Sequence, residues 1–208
     1  MIVQWCIKGL QLDDDAAARR IIDAKDGLFC NSGRNNGGVV VSSIADMLTP
    51  AKLDLHVNHF LADDPTTGRP VGPDSAFISL SCGTVERDVA AQTNTVHRAR
   101  RTALQFGLNF GRRDCAYLFV CWVVLAPRRA TEIMGVAEEV RDLTTYRRYS
   151  SYQLQGEVTA KILVPSSQVK GYQKWEWNRP GRRFHMTDWY PNPTFVAPET
   201  LSNVRDFL

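Results

Sequence analysis

Gln155-Gly156-Glu157-Val158 opens an apolar, strand-like run, and Pro165-Ser166-Ser167-Gln168-Val169-Lys170-Gly171-Tyr172 follows it. A lone carboxylate at the mouth of a strand, with an amide just before it, suits one kind of chemistry. The acid can bind a ribose hydroxyl and meet positive charge developing on the sugar, while the amide orients whatever attacks the anomeric carbon. On an extended segment Gln155 and Glu157 share a face, because side chains alternate with period two. Ser79 and Ser81, flanking Leu80 in AFISLS, share a face for the same reason. Upstream of Gln155, Tyr146, Tyr149 and Tyr152 interleave with Arg147 and Arg148, a pattern able to stack on and neutralise a nucleotide, or else to form a solvated loop over packed tyrosines.

The bulk properties bound what must hold these groups. A chain of 208 residues, 44% hydrophobic and 23% charged with net charge +3, has the composition of an ordinary globular protein with one substantial core. The charge is too small to establish a polyanion partner, although Arg98, Arg100, Arg101, Arg112, Arg113, Arg128, Arg129, Arg179, Arg182 and Arg183 fall in groups that could track phosphates. The N-terminal MIVQWCIKGLQLDDD has no basic region and meets acid too soon for a secretory signal. The longest apolar run, Tyr117 to Pro127, falls well short of the roughly 20 residues a bilayer-spanning helix needs, so no membrane span is expected. Cys6, Cys30, Cys82, Cys115 and Cys121 are odd in number and form no CxxC or Cys/His cluster; buried free thiols and no metal site are expected.

The positioning elements read as follows. Ile2 to Ile7 is a strand, and Asp13-Asp14-Asp15 caps a helix through AAARRIIDA with Ile21 and Ile22 inward. A Gly/Asn loop leads to a short helix over Ile44 to Leu55, ending near LDLHVNHF, and Asp63 to Asp74 is a second loop before the strand Ala76 to Ser81. Thr93 to Phe106 is expected to be helical with Val96, Leu104 and Phe106 inward, followed by the core strand AYLFVCWVV and later the strand Glu157 to Val164. The aromatic, basic, proline-rich segment after Trp175 reads as irregular. Helices early and strands later predict an α+β sandwich rather than βαβ units, with residues 1–175 as the functional domain and 176–208 as its extension. Neither GxGxxG nor GxxxxGK[ST] is present, so a dinucleotide is not held in the Rossmann manner.

The ordered set LDLHVNH, AFISLS, QGEV and PSSQVKGY resembles the NAD-dependent mono-ADP-ribosyltransferases of the cholera toxin, heat-labile enterotoxin and pierisin group. The resemblance covers roughly residues 1–175 and implies a mixed sandwich of two small antiparallel sheets with an N-terminal helical region. It implies NAD as substrate, with Glu157 and Gln155 catalytic and with Lys8, His59, Ser79 and Ser81 at the NAD site. In that reading Glu157 binds the ribose 2′-hydroxyl and stabilises an oxocarbenium-like centre, Ser79 orients Glu157 or contacts NAD, and Ser81 supports the strand. His59 lines the site, with His56 competing for the role.

Two departures stand out. Lys8 in CIKGL takes the place of the family's first-strand arginine, keeping the charge but losing the planar fork that binds bidentately. Leu80 takes the middle place of Ser-Thr-Ser. Gln155 in place of a glutamate argues against an arginine acceptor and for a nucleobase, guanine favoured, in DNA or a nucleotide. Arg148, Tyr149 and Tyr152 fall in the family's acceptor-contacting loop. The alternatives are a toxin or effector that modifies a protein amide side chain, or a binding module whose NAD site has degenerated. Export or injection into a target cell follows from the resemblance, and the free thiols fit a reducing compartment.

Overall fold

The computed structural model describes residues 2–23, 27–36, 44–88, 92–125, 136–138, 157–198 and 204–205. The chain opens with strand β1 (Ile2–Leu10), longer than the Ile2 to Ile7 run expected. Helix α1 (Asp15–Asp23) follows, and the Asp14 carboxylate accepts the Ala17 N–H at 2.7 Å, which satisfies an orphan donor of the first turn. Strand β2 (Leu28–Phe29) and helix α2 (Asn31–Asn35) come next. The helix expected over Ile44 to Leu55 is two: α3 (Ile44–Met47) and α4 (Pro50–Asn58). Thr49 caps α4 by accepting the Lys52 N–H at 3.2 Å, and Pro50 sits where no N–H is needed. The second loop ends in a single turn, α5 (Val71–Asp74), before strand β3 (Phe77–Ser81).

Strands β4 (Thr84–Asp88) and β5 (Thr93–His97) form a small hairpin, so the helix expected from Thr93 begins only at α6 (Ala99–Gly107). Val96 therefore lies in a strand, and Phe106 is 42% exposed rather than inward. The buried face of α6 is made of small residues, Ala99, Thr102, Ala103 and Gly107, because the helix lies tight on β1: a Cβ on Gly9 would sit 1.9 Å from the Ala103 carbonyl oxygen. Strand β6 (Cys115–Leu125) is the core strand expected, and β7 (Val136–Glu138) pairs with it in parallel. The next expected strand breaks at Ile162, whose φ of 60° ends β8 (Glu157–Lys161) before β9 (Leu163–Val164).

After a 3₁₀ turn at Ser166–Gln168, the segment expected to be irregular forms two long antiparallel strands, β10 (Val169–Asn178) and β11 (Arg183–Pro191). The 175/176 boundary therefore falls inside β10. Strand β12 (Val204–Arg205) runs parallel to β1.

β6 is the hub. It pairs with β10 on one side and with β1 over Tyr117–Leu125 on the other. β7 joins β8, β8 joins β3, and β3 returns to β1 through Ile7 opposite Ser81, closing a circuit. The circuit, antiparallel except where β7 meets β6, closes around one core, into which β6 sends Phe119, Cys121 and Val123, β3 sends Ile78 and Leu80, and β8 sends Val158 and Ala160. The other face of β6, with Ala116, Leu118 and Val120, packs on α6. Burial on both faces explains why β6 reads as one unbroken apolar run. The five cysteines are free, as expected.

Candidate active site

The β3–β8 pair has two unlike faces. Ile78, Leu80, Val158 and Ala160 enter the core, so alternation turns Ser79, Ser81, Glu157 and Thr159 to the other side. Ser81 lies directly opposite Glu157, and Ser79 directly opposite Thr159. Helix α4 approaches this polar face with Leu53, His56 and Val57, the i, i+3, i+4 residues that it buries. Lys8 arrives from β1 and donates to the Ser79 carbonyl at 2.9 Å.

The contacts join into one directed chain. His56 Nδ1 is 2.7 Å from Ser75 Oγ, and Nε2 is 2.8 Å from Ser79 Oγ. The Phe77 N–H donates to Ser75 Oγ at 3.2 Å, and the Ser79 hydroxyl acts on the Glu157 carboxyl, lowering its pKa. With Glu157 ionised the carboxylate only accepts, so the single Ser79 proton turns to Glu157 and Ser79 Oγ accepts from His56 Nε2–H. Nδ1 is then the acceptor and takes the Ser75 hydroxyl proton. The network thus assigns the tautomer of a neutral imidazole. Burial, then the nearby Lys8 charge, holds His56 down at about 3, consistent with that neutral form.

Glu157 is buried, and its Oε1 has no hydrogen-bond partner, the only carboxylate oxygen so placed among the described residues. Burial leaves its pKa raised, against the smaller pull of Ser79 and then of the Lys8 charge. Lys8 is pushed down to about 8, first by burial and then by the Arg34 charge, against the pull of Glu157 and Cys121. Its charge is thus present at neutral pH and lost in mild alkali.

The structure brings Lys8, Ser79, Ser81 and Glu157 together. His59 is elsewhere: it is exposed at the end of α4, where its N–H donates to Leu55 O at 2.9 Å, and His56 takes the place beside Ser79. The Leu53-x-x-His56-Val57 spacing is the signal that favours His56, since it puts the imidazole on the buried stripe. Ser75 and Arg34 were not singled out from the sequence, and no local pattern marks them, because a turn and a distant helix deliver them. Gln155, Arg148, Tyr149 and Tyr152 lie outside the described residues. Among the described residues no cluster of His, Cys, Asp and Glu could hold a metal ion, and no helix is long and apolar enough to cross a membrane.

No protein-family model and no curated protein sequence matches the chain. Among solved structures, EcPltA matches 98% of this chain and 93% of its own at 12% identity and a TM-score of 0.55. A heat-labile enterotoxin matches 92% of this chain and 75% of its own at 15% identity and a TM-score of 0.46. Full-length CARDS toxin matches 99% of this chain at 16% identity and a TM-score of 0.45, with 31% of its own length covered. The likeness to EcPltA spans nearly the whole of both chains, and the chain has the α+β, ADP-ribosyltransferase-like fold, a mixed sandwich of antiparallel sheets with a helical region near its N-terminus.

Proposed function

We propose that this protein is a mono-ADP-ribosyltransferase that takes ADP-ribose from NAD, releases nicotinamide and passes the sugar to a nucleobase, guanine favoured. The observation that carries this reading is the buried Glu157 carboxylate, set beside Ser79 and Lys8 with its Oε1 left without a hydrogen-bond partner. Such an acceptor fits a ribose hydroxyl, the donor that NAD would present, and Lys8 adds a cation suited to its phosphates.

Bound NAD supplies the bond between nicotinamide and ribose, whose heterolysis leaves positive charge on the sugar carbon. Glu157 meets that charge in a water-poor setting, where a fixed carboxylate counts for more than in solution. Ser79 orients the carboxylate. His56, neutral at working pH, orients Ser79 and brings no cation to oppose the charge on the sugar. Lys8 holds the strand carrying Ser79 through its carbonyl.

The nucleobase acceptor rests on Gln155, whose amide offers a donor and an acceptor where a carboxylate would favour a guanidinium. Incubation of the full chain with NAD labelled in the adenylate, and with DNA, RNA, guanine nucleotides or a protein lysate, tests it. Label in nucleic acid or nucleotide is the expected result. Label only in protein selects an amide side chain as acceptor, and no nicotinamide release in any mixture overturns the transferase. Gln155→Ala should impair transfer more than NAD hydrolysis; equal losses would contradict the division of labour between Gln155 and Glu157. The five free thiols suit action in a reducing compartment, as a secreted or injected toxin would meet inside a target cell.

A further inference from the structure

The β10–β11 hairpin has one covered face and one open one. Register places Trp175 opposite Met186, Trp177 opposite Phe184, and Gln173 opposite Trp189, so these side chains share a face. Tyr172, Lys174 and Glu176 point the other way, where α1 meets the hairpin through Asp15 on Lys174 and Arg19 over Tyr190. On the aromatic face α6 reaches only the inner part, packing against Trp175 and Phe184. Trp177, Met186 and Trp189 remain 36%, 47% and 38% exposed. Exposed tryptophans grouped on one sheet face mark an interaction surface.

Charge says what it fits. Residues 98–114 and 169–191 hold ten Lys and Arg against three Asp and Glu, more than the whole chain's net +3, so the remainder is net acidic. The Arg100 guanidinium lies 5.8 Å over the Trp175 ring, and Arg179, Arg182 and Arg183 are exposed in and beside the hairpin turn. A second copy would set the same cations against these. A duplex would hide the faces of its bases. An unpaired strand offers π-faces for the indoles and phosphates for the arginines at once.

We propose that the open face of the β10–β11 hairpin is a docking surface for single-stranded nucleic acid, with bases stacked on Trp177 and Trp189 and phosphates on Arg100, Arg179 and Arg182. It lies on the side of β10 and β11 facing away from the core and does not depend on the transferase reading: a strand can dock whether or not its bases are modified.

The test is fluorescence anisotropy of a labelled oligothymidine of about 12 nucleotides, within the site sizes of single-strand binders, titrated with the full chain in the absence of NAD. Trp177→Ala should weaken binding about five- to a hundredfold, the loss of one stacked base. Arg179→Gln with Arg182→Gln should lower the slope of log affinity against log salt by about 0.7 for each cation removed. Both variants alter exposed residues and should melt and cleave NAD as the parent does. The proposal falls if oligothymidine does not bind, if either variant binds as the parent does with the same salt slope, or if a duplex binds as tightly. It also falls if the chain instead dimerises in a way that Trp177→Ala abolishes.

Discussion

Two polar clusters, one beside α1 and one beside α4, are completed in different ways. Near α1, Asp15 accepts the Tyr117 hydroxyl at 2.7 Å, Lys174 lies 3.1 Å from both Asp15 and Glu176, and Arg19 stacks 5.0 Å over Tyr190. The Tyr117 bond first, and then Lys174, holds Asp15 below the usual carboxylate range. Each charge there meets its complement, and the result clamps α1 to β6, β10 and β11. Near α4, Ser75, His56, Ser79 and Glu157 form an equally continuous chain, yet it ends in a buried carboxylate oxygen with nothing to accept from. An unmade hydrogen bond on a buried group costs about 1–3 kcal/mol, so an open valence in an otherwise satisfied network reads as a place held for a ligand. The buried Tyr172 hydroxyl beside the α1 cluster also lacks a partner, so it is the unpaired carboxylate oxygen of Glu157, rather than an open valence as such, that marks a site.

The sharpest way to break that contrast is to neutralise one carboxylate in each cluster. Glu157→Gln should lower NAD cleavage about a thousandfold, measured as nicotinamide release, whereas Asp15→Asn should leave cleavage by folded protein intact. Equal losses would erase the distinction.

Acid should separate the clusters next. His56 titrates at about 3 in the folded chain against 6.5 unfolded, so between those values the folded state binds fewer protons. The stability tied to neutral His56 is complete above pH 6.5 and is lost as pH falls toward 3, by on the order of 4 kcal/mol. Asp15, with its pKa lowered, loses its contribution only as pH falls below the ordinary aspartate value of 3.8. Melting curves from pH 7 to pH 3 should show the earlier loss, and His56→Asn should flatten it. A variant with the parent's slope above pH 4 would place the acid sensitivity elsewhere.

Removing the clamp is the third test. Asp15→Ala takes a partner from Tyr117 and from Lys174 and should cost about 1–3 kcal/mol in chemical denaturation. Lys8 gives the smallest effect. Its cation disappears as pH rises through about 8, so the KM for NAD should climb about tenfold per unit beyond that, and Lys8→Arg should remove the climb. An identical alkaline limb in both proteins would show that Lys8 does not set NAD affinity.

Much of the scaffold was legible because its signals are local. The unbroken run AYLFVCWVV announces a strand buried on both faces, and Asp14 announces the start of α1. The hairpin was missed although Lys174-Trp175-Glu176-Trp177-Asn178 alternates with period two. The prolines at 180, 191 and 193 suggest irregular chain, yet the first lies in the turn and the others lie at or beyond the end of β11. The α6 error has a similar origin: helix-forming content extends back to Thr93, but β5 pairs with β4, and no local preference reveals a partner strand.

For the site, sequence alone determined which residues had the chemistry: a glutamate heading a strand, two serines sharing a face, a lysine on the first strand, and two histidines on or beside one helix. Those follow from side-chain type and period-two or 3.6-residue geometry, which are properties of short segments. Only the tertiary structure decided that His56 rather than His59 meets Ser79, that Ser75 fixes its tautomer, and that Glu157 keeps one oxygen open. Each depends on groups from separate strands and helices meeting at hydrogen-bond distance, and packing alone sets such distances.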